Sequence, residues 1–155
     1  MEKIERILVP TDFSDCSTKA FHDAVTLARK TKATLLLAHV FDPNTSSVDR
    51  LLLGPPIFPK LKIGQALDQM AHPEREKGSL IETHLLKGDP PAEIVKAAKE
   101  FNCDLIVMGT HGRTGMEHFL MGSVVEQVIR SSAVPVLVVR PLLKESEEKV
   151  KASAA

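Results

Sequence analysis

Apolar and polar positions along this chain switch between two periods. Ile7-Leu8-Val9-Pro10 is a short apolar run behind a charged start and predicts a strand. Ser14 then stands where an N-cap belongs. Ala20, Phe21, Ala24, Val25, Leu27 and Ala28 recur at spacings of three and four, which predicts a helix over about 15–31. The run ATLLLAHV, from Ala33 to Val40, is almost continuously apolar, as a strand covered on both faces should be. Residues 80–87 alternate and predict an edge strand. Asp89-Pro90-Pro91 opens the next helix, with Asp as N-cap and Pro in the first turn, and Ile94, Val95, Ala97, Ala98 and Phe101 give its buried face. DLIVMG (104–109) predicts a strand. A helix from Gly122-Ser123 to about Ser132 turns Val124, Val125, Val128 and Ile129 inward, and VPVLVVR (134–140) is a last strand.

One interval breaks the rhythm. Between Asp42 and Ile63 stand Pro43, Pro55, Pro56 and Pro59, and no period is sustained. This predicts a long loop with a helical turn near 48–53, of the kind that serves as a lid or binding loop. A short helix over about 64–77 should follow, interrupted at Pro73. Residues 1–142 read as one domain and 143–155 as a polar tail.

Five strands thus alternate with four helices, which implies right-handed crossovers and a mainly parallel sheet with helices on both faces. Ligands of such sheets bind outside the carboxyl ends of the strands, where the strand order reverses. The segments at those ends are Pro10-Thr11-Asp12, Val40-Phe41-Asp42, Lys87-Gly88-Asp89 and Met108-Gly109.

Composition removes several function classes. The chain of 155 residues carries 20 basic and 20 acidic side chains, so there is no basic field for nucleic acid or an acidic membrane surface. Trp and Tyr are absent, which leaves little to stack on bases. No apolar run approaches the roughly 18 residues of a membrane span, and the start MEKIERILVP is not a signal peptide. A cytoplasmic location is the expectation. Cys16 and Cys103 lie far apart, outside any C-x-x-C, and read as buried reduced thiols; the histidines are scattered, and no metal site is expected.

The candidate chemistry lies in GTHGRTGMEHFLMGS, from Gly109 to Ser123, which holds four of the chain's eight glycines. It is neither a Walker P-loop nor G-x-G-x-x-G. Its position between a strand and a helix start gives it related physics. Glycines let backbone N–H groups approach an anion, and a helix N-terminus adds unpaired donors and partial positive charge. Ser123 can add a hydroxyl, and His111 and Arg113 can help neutralise phosphate. The competing reading is a plain turn closed by a capping box, Ser123-x-x-Glu126. Asp12 is the second candidate, able to accept a ribose hydroxyl or base amine, or else to cap the first helix in competition with Ser14.

ILVPTDFS, LLLAHV, GDPPAEIVKAA and DLIVMGTHGRTGMEHFLMGSVVEQVIRSSAVPVLVVRP resemble the universal stress protein family, over about residues 4–141. The sharpest element is G-x2-G-x9-G-[S/T], complete here as Gly109, Gly112, Gly122 and Ser123, which marks the nucleotide-binding branch. The resemblance implies a Rossmann-like α/β fold of the adenine nucleotide alpha hydrolase type, with a single five-stranded parallel sheet in the order 3-2-1-4-5. It assigns Pro10, Thr11, Asp12 and Val40 to adenine and ribose. Met108, Gly109, Gly112 and Arg113 fall to the first part of the phosphate loop, and Gly122, Ser123, Val124 and Val125 to its end. It further implies ATP with Mg²⁺ or Mn²⁺ on the phosphates, and a homodimer through Val136–Val139. The short helix before the third strand and the proline-rich 43–63 loop depart from the family pattern, which bears on the adenine side.

Three functions compete. The leading one is an ATP-binding stress sensor or regulator with at most slow hydrolysis. The second is a nucleotide hydrolase or transferase using His111 or His118 as base. The third is a dimeric interaction module that binds no nucleotide.

Overall fold

The computed structural model describes residues 3–43, 59–111 and 121–141. The chain runs β1 (Arg6–Pro10), α1 (Asp15–Thr31), β2 (Thr34–Phe41), α2 (Pro59–Glu76), β3 (Ile81–Lys87), α3 (Pro90–Glu100), β4 (Leu105–Gly109), α4 (Ser123–Ser131) and β5 (Val136–Val139). All four strand pairs are parallel, in one sheet of order β3-β2-β1-β4-β5. The reversal between β1 and β4 is where the resemblance put it.

The continuous apolar runs are explained by two separate cores. Ile7, Val9, Leu35, Leu37 and Val107 face α1 and α2, while Leu8, Leu36, Ala38, Val40, Ile106 and Met108 face α3 and α4. Alternate residues of a strand point to opposite faces, so a strand with helices on both sides must be apolar throughout. α1 lays Ala20, Phe21, Ala24, Val25 and Ala28 on the first face. Phe21 alone, 1% exposed, contributes on the order of 2–3 kcal/mol by burial.

α2 corrects one expectation. It is not a short helix interrupted at Pro73 but an 18-residue helix that starts at Pro59 and carries Pro73 inside. Pro59 suits a first helical position, where no N–H is required and φ is already set. Ile63, Leu67 and Ala71, one turn apart and each no more than 1% exposed, hold the helix on the sheet. Pro73 removes its own N–H from the ladder, and the helix continues through Glu76 beyond it. The predicted loop therefore ends before Pro59; its centre, with the turn expected at 48–53, lies outside the described residues, as does the tail from residue 142 onward.

At the amino ends of the strands, Asp104 Oδ2 accepts the N–H groups of Glu5 and Arg6 at 2.8 and 3.0 Å. Arg6 donates to the Phe101 carbonyl at 2.8 Å and to Glu82 Oε2 at 3.3 Å. The hydrogen bond from His84, helped by the Arg6 charge, holds the Glu82 carboxyl below its ordinary range despite partial desolvation. This clasp ties the edge strand β3 to β1. Cys103 lies nearby, and burial, with the Asp104 and Glu82 charges, pushes its thiol up to about 11 against the pull of Arg6. At neutral pH it is an unreactive core residue. Both cysteines are free and buried, as read from the sequence.

Candidate functional site

The candidate site begins with a seam. β1 pairs with β2 as far as Pro10↔Ala38, and β4 pairs with β5 as far as Gly109↔Val139. The ladder between β1 and β4 stops earlier, at Leu8↔Ile106. The carboxyl ends of the two central strands therefore part, at the position where an open α/β sheet offers a crevice.

On the β1 side, Thr11 is buried and fully engaged. Its N–H donates to the Ala38 carbonyl at 2.8 Å, and its carbonyl accepts from His39 Nδ1 at 2.8 Å. Its hydroxyl meets Ser17 Oγ at 3.0 Å and accepts the Phe13 N–H at 3.0 Å. Thr11 thus fixes the end of β1. Asp12 Oδ1 accepts the Ser14 N–H at 3.0 Å, a side-chain turn of the kind Asp favours. Between them, Phe13 sits at φ 64°, a left-handed conformation that costs a bulky residue on the order of 1–2 kcal/mol. Its ring packs on the first core and lies 5.1 Å from the His39 ring. Ser14, not Asp12, is the N-cap of α1, accepting the Ser17 N–H at 3.2 Å. Pro10 and Val40 are buried at the ends of their strands.

On the β4 side, Met108 is buried in the second core. Gly109 lies against α1: a Cβ there would meet Cys16 Sγ at 2.6 Å and the Cys16 backbone carbon and oxygen at 3.0 Å. The first glycine of the motif is thus required by helix–sheet packing, a role the spacing alone did not disclose. Gly112 and Arg113 lie outside the described residues, as does His118. His111 is half-buried; its Nδ1 is 2.9 Å from Thr110 Oγ1, and its Nε2 is buried without a hydrogen-bond partner among the described residues.

The end of the glycine segment bears on the capping-box reading. The N-cap of α4 is Gly122, not Ser123, and among the described residues no side chain caps the helix. The capping box expected from Ser123-x-x-Glu126 does not form, because Ser123 is already the first helical residue. Gly122 is at φ −61° and ψ 154°, and its own N–H donates to the Thr110 carbonyl at 2.7 Å. Among the described residues, the first-turn donors at Ser123, Val124 and Val125 have no side-chain acceptor. Ser123 is exposed and Val125 is buried. An uncapped first turn is what an anion-binding helix start requires.

Among the described residues, no group of three His, Cys, Asp or Glu side chains is placed to hold a metal ion. None of the described helices is long and apolar enough to cross a membrane.

The sequence and fold agree with those of known proteins. The family model described as the universal stress protein family matches residues 3–140. The universal stress protein MJ0531 of Methanocaldococcus jannaschii is 37% identical over 151 residues, covering 91% of this chain and 85% of its own. The solved structure of MJ0577, a universal stress protein of the same organism, aligns with a TM-score of 0.78 at 30% identity, over 91% of this chain and 99% of that one. A universal stress protein solved in complex with cAMP aligns with a TM-score of 0.65 at 26% identity, over 90% and 98% of the two chains. With the motif, the strand order and these likenesses together, the chain belongs to the universal stress protein family.

Proposed function

We propose that the chain binds ATP at the parted ends of β1 and β4 and acts as a nucleotide-responsive stress regulator that hydrolyses ATP slowly at most. The observation that carries this reading is the uncapped first turn of α4, next to a β1–β4 seam that opens two residues before β1 ends. Asp12 would take the ribose hydroxyls, with Pro10, Thr11 and Val40 beside the base. Met108 and Gly109 would lead into the phosphate loop, where Gly112 and Arg113 meet the first phosphates. Gly122 with Ser123, Val124 and Val125 would close on the far phosphates, with His111 as a further donor. Mg²⁺ or Mn²⁺ would ride on phosphate oxygens and water. The family member solved with cAMP supports an adenine ligand. Slow turnover follows from assigning Asp12 to the sugar rather than to an attacking water.

The test starts from protein purified without added nucleotide. It is denatured, the released small molecules are identified by mass spectrometry, and refolded protein is titrated with ATP and Mg²⁺. Adenine nucleotide in the extract, or calorimetric binding in the micromolar range, is expected. An empty extract together with no heat up to millimolar ATP would overturn the reading in favour of an interaction module.

The same proposal includes a homodimer through β5. Val136–Val139 form an outer edge of the sheet, with Leu137 46% exposed; Ile129 of α4 is not turned inward as its sequence position suggested but is 42% exposed. An edge strand with apolar side chains in water is suited to pairing with its own copy across a twofold axis. Leu137→Glu is expected to sediment as a monomer where the native chain sediments as a dimer; a native monomer would remove the dimer.

A further inference from the structure

Thr110 has no part in the assignments above, yet it is 4% exposed and each of its polar groups has a partner. Its N–H donates to the Val139 carbonyl at 3.0 Å, and its carbonyl accepts the Gly122 N–H at 2.7 Å. These two bonds fasten the point where the chain leaves β4 to the point where it enters α4, and both to β5. The hydroxyl lies 2.9 Å from His111 Nδ1 and 3.7 Å from Cys16 Sγ, and the Cys16 thiol donates to the Val139 carbonyl at 3.8 Å. At the far end of this chain, His111 Nε2 is enclosed with no partner among the described residues. Buried polar atoms are nearly always hydrogen-bonded, so an orphan calls for an explanation, and a bound ion or ligand is one.

We propose that Thr110 is a positioning residue of the anion site: its hydroxyl fixes the His111 ring so that Nε2–H is held for an oxygen of the bound phosphate. The inference rests on the nucleotide reading. The hydroxyl can do this in two protonation states, because it both donates and accepts. With a neutral ring protonated at Nε2, the Thr110 O–H donates to Nδ1. With a doubly protonated ring, Nδ1–H donates to the Thr110 oxygen, and the Thr110 O–H turns to the Cys16 sulfur. Nε2 carries a proton in both arrangements. Valine at position 110 would keep the shape and both backbone bonds but leave Nδ1 without its partner, and the ring would no longer be held.

The experiment compares ATP titrations of the native chain, Thr110→Val, Thr110→Ser, His111→Ala and the double variant Thr110→Val/His111→Ala. Thr110→Val is expected to weaken ATP about tenfold, the loss of one hydrogen bond to a charged group. Thr110→Ser should restore affinity to near the native value. The double variant should bind no more weakly than His111→Ala alone, because Thr110 acts through the histidine. In ¹⁵N-histidine-labelled native protein, the His111 Nε2 resonance should move when ATP is added. Native affinity in Thr110→Val, additive losses in the double variant, or an unresponsive Nε2 would each overturn the proposal while ATP binding by the native chain stands. A native chain that binds no ATP overturns the nucleotide reading and this one together. Should Thr110→Val not fold, Thr110→Ser and the native Nε2 resonance still decide.

Discussion

Gly122→Val is expected to lower ATP affinity by at least about 100-fold, roughly 3 kcal/mol, while the fold survives. The backbone at Gly122, φ −61° and ψ 154°, is an extended conformation that valine adopts readily. The bond from its N–H to the Thr110 carbonyl is also indifferent to the side chain. Valine is a poorer N-cap than glycine, at a cost of up to about 1 kcal/mol, or a melting shift of about 2–4 °C for a chain of this size. Binding suffers far more. A branched side chain at the mouth of α4 would keep phosphate oxygens from the N–H groups of Ser123, Val124 and Val125, and a hydrogen bond to a charged group is worth about 1.5–3 kcal/mol. Losing two accounts for the predicted change. Isothermal titration with ATP, alongside a thermal melt, checks it. Native affinity in a folded variant would mean that this helix start does not meet phosphate.

Periodicity revealed most of the fold because each element is stated redundantly. α1 shows its buried stripe, its N-cap at Ser14 and its stop, and all three agree with the structure. β1, β2 and β4 are apolar at consecutive positions because both faces are covered, and none of the described helices has that pattern. α2 was legible only in part: Pro59 and Pro73 both read as breakers, yet one starts the helix and the other is carried inside it, on a helix held to the sheet by Ile63, Leu67 and Ala71. At the candidate site, the glycine spacing marked the end of β4 and the start of α4 but not the division of labour between the glycines. Ser123 looked like a cap because a box motif records side-chain types and not where the helix begins; Gly122 took the cap position instead. Thr110 gave no signal at all, since a threonine after a strand is unremarked until its hydroxyl is seen between Cys16 and His111.

The division of labour yields the second large effect. Gly109→Ala is expected to destabilise the fold by about 1–3 kcal/mol, the usual cost of overpacking a filled core. That corresponds to a melting point lower by roughly 2–12 °C. The added Cβ would lie 2.6 Å from Cys16 Sγ and 3.0 Å from the Cys16 backbone carbon and oxygen. The thiol has little room to turn, because Cys16 is 8% exposed and its sulfur sits between Thr110 Oγ1 and the Val139 carbonyl. The first turn of α1 must therefore move off β4. Adding Cys16→Ala removes the sulfur but leaves the two backbone contacts, so it should recover part of the loss and no more. The two glycine variants then separate cleanly. Gly122→Val loses ATP and keeps its melting point within a few degrees, whereas Gly109→Ala loses stability while its folded fraction binds ATP more tightly than Gly122→Val does. A Gly109→Ala protein that melts like the native chain would show that α1 can slide on β4, and the packing account of the motif's first glycine would be wrong.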